Sequence, residues 1–405
     1  TTYKQETSPR YNAIDIAKWR CNFNNAPLIL GSATPSLESY ARGEKDVYKL
    51  LTLDKRVGNI SLPTVKLVDM REEMKKRNML FSDELKINII NTLKKHEQVM
   101  ILLNRRGYST FVSCQSCGYT YKCPHCEITL TYHKNSNNLR CHYCGYTKIF
   151  NSICPNCKED AIRSFGSGTE KIELELKKLF PTARILRMDK DTTIRKGSHE
   201  KYIKMIENEE VDIIVGTQMI SKGLDFPLIS LVGIINADET LNIPDFRSNE
   251  RTFSLLNQVS GRAGRSGIES NVIIQTFNPD NKLFEFIKNN DYKSFYKYEM
   301  NIRKKLKYPP YYYLISLKIC SKNYEEASKN ASKISTYLTN HISNTSIVLG
   351  PSTATMFKLN DIYRFQILIK YRFDDKLHDA LNFIDNLYIT NKEVYIEIDN
   401  NPLSI

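Results

Sequence analysis

The sequence predicts an α/β fold: a doubly wound parallel sheet, interrupted by a metal-binding insertion and followed by a small α+β domain. Three observations carry this. Apolar runs of strand length, such as 98–103, 211–215 and 231–235, alternate with amphipathic helical stretches, as crossover-connected parallel strands require. Four Cys-x-x-Cys pairs, Cys114/Cys117, Cys123/Cys126, Cys141/Cys144 and Cys154/Cys157, crowd into 44 residues inside that pattern. From about residue 280 the chain turns Tyr- and Lys-rich and its strand and helix order changes.

In chain order, Ala26-Pro-Leu-Ile-Leu30 reads as a short buried strand, followed by Gly31-Ser-Ala-Thr-Pro35 and a helix from Leu37 capped by Ser36. A strand running through small hydroxyl residues into a helix is where open α/β sheets place ligands, although a purely structural turn has the same look. Residues 44–80 are irregular and read as a connector. Ser82 caps a helix presenting Leu85, Ile89 and Leu93, and the strand 98–103 ends at Asn104-Arg-Arg-Gly-Tyr108. That basic, aromatic strand end suits a phosphate backbone as well as it suits solvent.

The cysteine segment, residues 113–159, follows almost at once. Each pair has the spacing that lets two thiolates bite one tetrahedral ion, so eight ligands make two four-sulfur zinc sites. Disulfides are the alternative, but Thr1 to Arg10 hold no apolar signal segment, and a cytoplasmic chain keeps its thiols reduced. Sequential and nested pairing both satisfy the spacing. Glu127 to Arg140 has hairpin character, which would bring the inner pairs together and favours nesting. Cys21 and Cys320 read as core thiols, and His125, His133 and His142 as non-ligands.

The α/β pattern then resumes. Gly166-Ser-Gly-Thr-Glu170 opens a helix with Ile172, Leu176 and Leu179 on one face, stopped by Pro181. Further strands are expected at 183–188, 211–215 and 231–235. No Gly-x-x-x-x-Gly-Lys-Ser/Thr occurs in these residues. A helix through 250–257, if it continues, sets Gln258, Arg262 and Arg265 at i, i+4 and i+7 on one face, with Gly261 and Gly264 leaving the flank bare. Two guanidiniums and an amide so placed suit the charge of a transferring phosphoryl group. Lys307-Tyr-Pro-Pro-Tyr311 precedes a strand–helix–strand unit, 314–320, 324–340 and 364–370, in which Lys358, Tyr363, Arg364, Gln366 and Lys370 form a basic, aromatic surface.

Composition agrees with a polyanion partner: 58 basic residues against 45 acidic, a net charge of +13, and 24 tyrosines. No apolar run approaches the ~18 residues of a membrane span.

Gly31-Ser-Ala-Thr-Pro35, Val215-Gly-Thr-Gln-Met-Ile-Ser-Lys-Gly-Leu-Asp-Phe-Pro227 and Gln258-Val-Ser-Gly-Arg-Ala-Gly-Arg265 resemble motifs III, V and VI of superfamily 2 helicases. With the eight cysteines, the Gly166–Glu170 turn and Pro244-Asp-Phe-Arg-Ser-Asn-Glu-Arg-Thr-Phe253, the chain resembles the primosomal protein N′ (PriA) family of replication-restart DNA helicases. The resemblance implies a RecA-like lobe over 81–112 and 160–280, preceded by the end of another RecA-like lobe over 1–43. It implies a double-zinc insertion at 113–159 and a DNA- and partner-binding domain at 281–405. It implies an ATP- and magnesium-dependent 3′-to-5′ helicase acting at stalled or branched forks, in the cytoplasm. Implied partners are single-stranded DNA-binding protein, other primosome proteins and the replicative helicase loader.

By the same resemblance, Thr34 couples the lobes, Gly216, Thr217 and Gln218 lie near nucleotide and DNA, and Asp225 lies near the ribose. Gln258 and Arg262 contact phosphates, Arg265 is the arginine finger, and Asn104 and Arg105 face DNA. Ile14 departs from the arginine usual in an aromatic-rich loop coupled to DNA, leaving Arg10, Tyr11 and Trp19 as candidates there. The P-loop lysine and acidic magnesium box of the family are absent from these residues, so the chain is expected to be inactive alone. A non-enzymatic zinc-containing DNA-binding or scaffold protein is the competing expectation.

Overall fold

The computed structural model describes all residues except 1, 2, 6, 8, 54–61, 77, 79, 104–110, 134–135, 165–168, 190–191, 194–196, 218–225, 262–268 and 404–405. The chain opens with α1 (Ala13–Phe23) and α2 (Leu37–Glu44), capped by Asn12 and Ser36 side chains. The larger α/β unit follows: β1 (Thr64–Asp69), α3 (Met70–Lys75), α4 (Asp83–Lys94) and β2 (Gln98–Leu103). After the cysteine module come α5 (Thr169–Leu179), β8 (Ile185–Met188), α6 (Ser198–Glu207), β9 (Ile213–Gly216), β10 (Ile229–Ile235), α7 (Asp238–Leu241), α8 (Ser248–Ser260) and β11 (Asn271–Thr276). The module itself carries β3 (Val112–Cys114), β4 (Thr131–His133), β5 (Asn138–Arg140), β6 (Thr147–Ile149) and β7 (Ile162–Ser164).

Among the described residues the sheet of this unit has six strands in the order β1-β11-β10-β2-β9-β8, all parallel. Its central strands are buried on both faces, which is why 98–103 and 229–235 read as unbroken apolar runs. One face packs on a core that includes Met100, Leu102, Phe253 and Phe284, the other on Leu85, Ile89, Ile172 and Leu176.

Four expectations are corrected here. Residues 26–30 form no strand, and Leu28, Ile29 and Leu30 are exposed, because no described strand lies beside them to satisfy their backbone. The span 44–80 is more than a connector: β1 pairs with β11 along its length, and Val65 and Leu67 pack on the core. The boundary at 281 falls too early. Helices α9 (Lys282–Lys288) and α10 (Tyr292–Lys305) set Leu283, Phe284, Ile287, Phe295 and Met300 into the core of the parallel-sheet unit, so the C-terminal domain begins after Lys305. Cys21 is half-exposed on a helix with no buried residue, whereas Cys320 is a core thiol as expected.

The C-terminal domain is β12 (Tyr313–Ser321), α11 (Tyr324–His341), β13 (Ile347–Leu359), β14 (Ile362–Tyr371), α12 (Asp375–Tyr388) and β15 (Val394–Asn400). Its antiparallel sheet runs β13-β14-β12-β15, the split β-α-β arrangement. Alternation divides β12 between two cores: Ile315, Leu317 and Ile319 meet the helices, while Leu314 points with Leu368 of β14 toward the cysteine module.

Candidate functional site

The eight thiols gather into two groups, Cys114/Cys117/Cys154/Cys157 and Cys123/Cys126/Cys141/Cys144, each with its sulfurs within 4.8 Å of one another. This is the nested pairing. The antiparallel register of β4 on β5, with Thr131 opposite Arg140, folds the loop between the inner pairs into a hairpin and closes the inner group. Sulfurs lie 3.5 Å apart for Cys114–Cys157, and 3.6 Å for Cys117–Cys154 and Cys123–Cys144. Zinc–sulfur bonds of about 2.3 Å in a tetrahedron put ligand sulfurs about 3.8 Å apart, so both groups fit a structural zinc ion. The thiols crowd enough to perturb one another. Hydrogen bonding from Cys126 and Cys141 holds Cys123 well below the usual thiol range, while contacts with Cys123 and Cys141 push Cys126 up.

Each knuckle turns on a backbone reversal. Gly118 and Gly145, directly after the second cysteine of a pair, take positive φ of 74° and 80°. At Gly118 a side chain is excluded outright, since a Cβ would lie 2.2 Å from the carbonyl oxygen of Phe277 at the end of β11. None of the three spare histidines joins a described cluster. His142 is buried with Nδ1 2.8 Å from the Thr353 carbonyl, and burial lowers it to about 4.

Of the motif residues, Gly216 ends β9 at the carboxyl edge of the sheet and Thr217 follows it. Thr34 accepts a hydrogen bond from Ser254 of α8 at 3.1 Å, tying the segment before α2 to the helix that carries Gln258. Thr34 and Gln258 line one open cleft together with Ser36, Ser254, Lys318 and Arg364. Gln258 is exposed, and α8 ends at Ser260 with Gly261 as its cap. Asn104, Arg105, Gln218, Asp225, Arg262 and Arg265 lie outside the described residues. The Gly166–Glu170 turn is described only from Thr169, whose hydroxyl donates to Asp189 at 2.5 Å and fixes the start of α5.

Sequence reasoning missed a buried charge cluster behind this cleft. Arg303 of α10, 1 % exposed, pairs with Glu250 of α8 at 2.6 Å, Glu38 of α2 at 3.4 Å and Glu299 at 3.6 Å. Glu250 also accepts from the Leu37 backbone N–H at 3.0 Å, the first turn of α2. Arg247 reaches Glu38 at 3.1 Å and the carbonyl of Pro402 at 3.0 Å. Burial pushes the Glu38 carboxyl up, but Arg247 and Arg303 outweigh it and hold the group below its usual range. Phe246 lies between these guanidiniums and Tyr308, whose ring stacks on it at 4.5 Å and 2°. Phe246, Arg247 and Glu250 belong to the stretch Pro244–Phe253, quoted above for its resemblance without a physical role.

The expected basic surface on the C-terminal domain is corrected. Gln366 and Lys370 are buried, on the same side of β14 as Leu368, which packs against the cysteine module. Lys358 stays at the surface, paired with Asp361 at 2.9 Å and lying 5.0 Å from the Tyr363 ring. No described helix is long and apolar enough to cross a membrane.

Residues 123–148 match the family described as the PriA DNA helicase Cys-rich region, 150–267 the helicase conserved C-terminal domain, and 304–403 the primosomal protein N C-terminal domain. The replication restart protein PriA of Bacillus subtilis is 47% identical over 406 residues, covering 99% of this chain and 50% of the relative. That of Synechocystis is 41% identical, covering 100% and 50%, and that of Borreliella burgdorferi 37%, covering 100% and 60%. The chain thus spans about half the length of the first of these relatives. Paired four-thiol sites set into a parallel sheet, backed by a split β-α-β domain and by this similarity along the whole chain, place it in one group: the chain belongs to the PriA family of replication restart proteins.

Proposed function

We propose that this chain supplies the second motor lobe, the zinc module and the C-terminal domain of an ATP-dependent 3′-to-5′ DNA helicase that binds branched forks and restarts replication. One observation carries the reading. The parallel sheet that ends in Gly216 and Thr217, with Thr34 bonded to α8, is interrupted by the two four-thiol groups, in a chain similar along its length to PriA. On this reading Thr34 couples nucleotide state to lobe position. Gly216, Thr217 and Asp225 line the nucleotide side of the cleft, and Gln258, Arg262 and Arg265 meet the phosphates, Arg265 as the finger. Magnesium and a P-loop would be contributed by polypeptide other than these 405 residues. Forked and single-stranded DNA, single-stranded DNA-binding protein and other primosome proteins are the proposed partners.

The absence of a P-loop sequence among the 405 residues favours one second reading, a zinc-containing DNA-binding scaffold. ATP turnover separates the two. This chain alone is expected to bind forked DNA without hydrolysing ATP, and a longer polypeptide carrying a P-loop as well is expected to hydrolyse it with DNA stimulation. No stimulation there would leave the scaffold. In that longer protein, Arg265→Ala should abolish turnover while ATP binding persists; near-normal turnover sinks the finger assignment.

A further inference from the structure

The two thiol groups lean on different neighbours. The outer group sits by β11, through the close approach of Gly118 to the Phe277 carbonyl. The inner group is held by the C-terminal domain. Ser352 Oγ donates to the His142 carbonyl at 2.7 Å, Arg140 Nη1 to Thr353 Oγ1 at 3.1 Å, and Tyr308 Oη to the Cys126 carbonyl at 3.3 Å. Behind Tyr308 stands Lys370, 5% exposed, with Nζ 3.0 Å from the Leu306 carbonyl and 3.6 Å from the centre of the Tyr308 ring. Burial pulls the ammonium down to about 8, with the inner thiols Cys126, Cys141 and Cys144 opposing that pull and Lys307 adding to it, and the contacts of Nζ are the Leu306 carbonyl and the Tyr308 ring, neither of which carries a formal charge.

A buried ammonium is costly unless an opposite charge lies close. A carbonyl dipole and a ring face supply part of that compensation but no formal charge. Four thiolates around one divalent ion carry a net charge of about −2, and that charge is also costly to bury alone. The two costs offset one another in part where the groups face each other across the Tyr308 ring. We propose that Lys370 is the counter-cation of the inner zinc–thiolate site, so that the C-terminal domain and the inner metal hold each other in place while the outer site is independent of both.

The test uses the zinc-loaded chain with Lys370→Met, which removes charge and hydrogen bond, and Lys370→Gln, which keeps a donor for Leu306 but no charge. Zinc loss to a colorimetric chelator is followed, and cadmium NMR of the cadmium-substituted protein separates the two sites. Both variants are expected to release one ion roughly ten- to a hundredfold faster, the range for losing a group that supports metal ligands. The cadmium signal of the inner site should move while the outer one stays. Release of both ions at the parent rate overturns the proposal, as does equal acceleration of both, which would mean general loosening. Parent behaviour in Lys370→Gln alone overturns it too, by making the hydrogen bond and not the charge the cause.

Discussion

Arg303→Met removes the centre of the buried charge cluster while keeping a side chain of similar reach. The guanidinium holds Glu250 at 2.6 Å, Glu38 at 3.4 Å and Glu299 at 3.6 Å, and it is itself 1 % exposed. At an effective dielectric of about 20, a unit pair about 4 Å apart is worth about 4 kcal/mol. Glu250 should carry most of that, since Glu38 keeps 24% of its side-chain exposure and is partly solvated. Stranding buried carboxylates then costs about 3–5 kcal/mol. Urea unfolding of the zinc-loaded chain reads this, and a cycle with Glu250→Gln isolates the pair.

The pH dependence gives a second check. Glu38 lies below its ordinary value in the folded state, so its stabilisation is present above the unfolded carboxylate pKa and fades as pH falls through the folded one. Glu299 is raised by burial despite Arg303, so its contribution has the opposite sign, present below the unfolded pKa and lost as pH rises through the folded one. Without Arg303 both carboxyls favour the proton more, and the deficit of the variant should be largest at neutral pH and shrink through the acid carboxylate range. A loss under about 1 kcal/mol, with no coupling to Glu250, would refute the cluster as a stabilising hub.

Two glycine substitutions should separate sharply. Gly118→Ala meets the Phe277 carbonyl head-on and should lower zinc content toward one ion per chain, whereas Gly145→Ala, whose nearest neighbours are 3.6 Å and 3.7 Å away, should cost only about 1–2 kcal/mol for its positive φ and keep both ions on metal analysis. Ser82→Ala removes the cap of α4 and a buried bond to Gln275 at 2.9 Å, so thermal or urea unfolding should show a loss of about 1–2 kcal/mol. An unchanged midpoint would mean that the Ser82 N–H, still bonded to Gln275 at 2.8 Å, carries the contact by itself.

What was legible in the sequence was local. Cysteine spacing with a hairpin between the inner pairs led to nested sites, and doubly buried strands announced themselves as apolar runs. What was missed depends on partners far along the chain. Strand β1 acquires its place only by lying beside β11, some two hundred residues later, and 26–30 reads as a strand yet finds no neighbour. Gln366 and Lys370 read as surface because parity along β14 does not say which face the cysteine module covers. The Arg303 cluster joins side chains from α2, α8 and α10, and a single signal hinted at it: Phe295, Glu299 and Arg303 recur every four residues on the buried stripe of α10. Charges on an apolar stripe need partners, and that pattern was there to be read.

The cysteine module is too short to bury a core of its own, and its packing shows how it is held. Val112, Tyr121, Ile128, Leu139 and Tyr143 share one cluster with Phe246 from the parallel-sheet unit and Tyr308, Leu314 and Leu368 from the chain beyond α10. Two structural zinc ions would each contribute on the order of 10–16 kcal/mol of folding free energy. That surplus holds in one place a surface that three parts of the chain complete. The same Phe246 that joins this cluster contacts Arg247 and Arg303, which grip α2 and the segment around Pro402. Glu250 and Gln258 both lie on α8, so Phe246 and Tyr308 stand between the inner knuckles and the helix that lines the cleft. Phe246→Ala, which removes the ring stacked on Tyr308, should leave both zinc ions bound on metal analysis while loosening the Arg247 and Arg303 contacts, read as a loss of stability in urea unfolding.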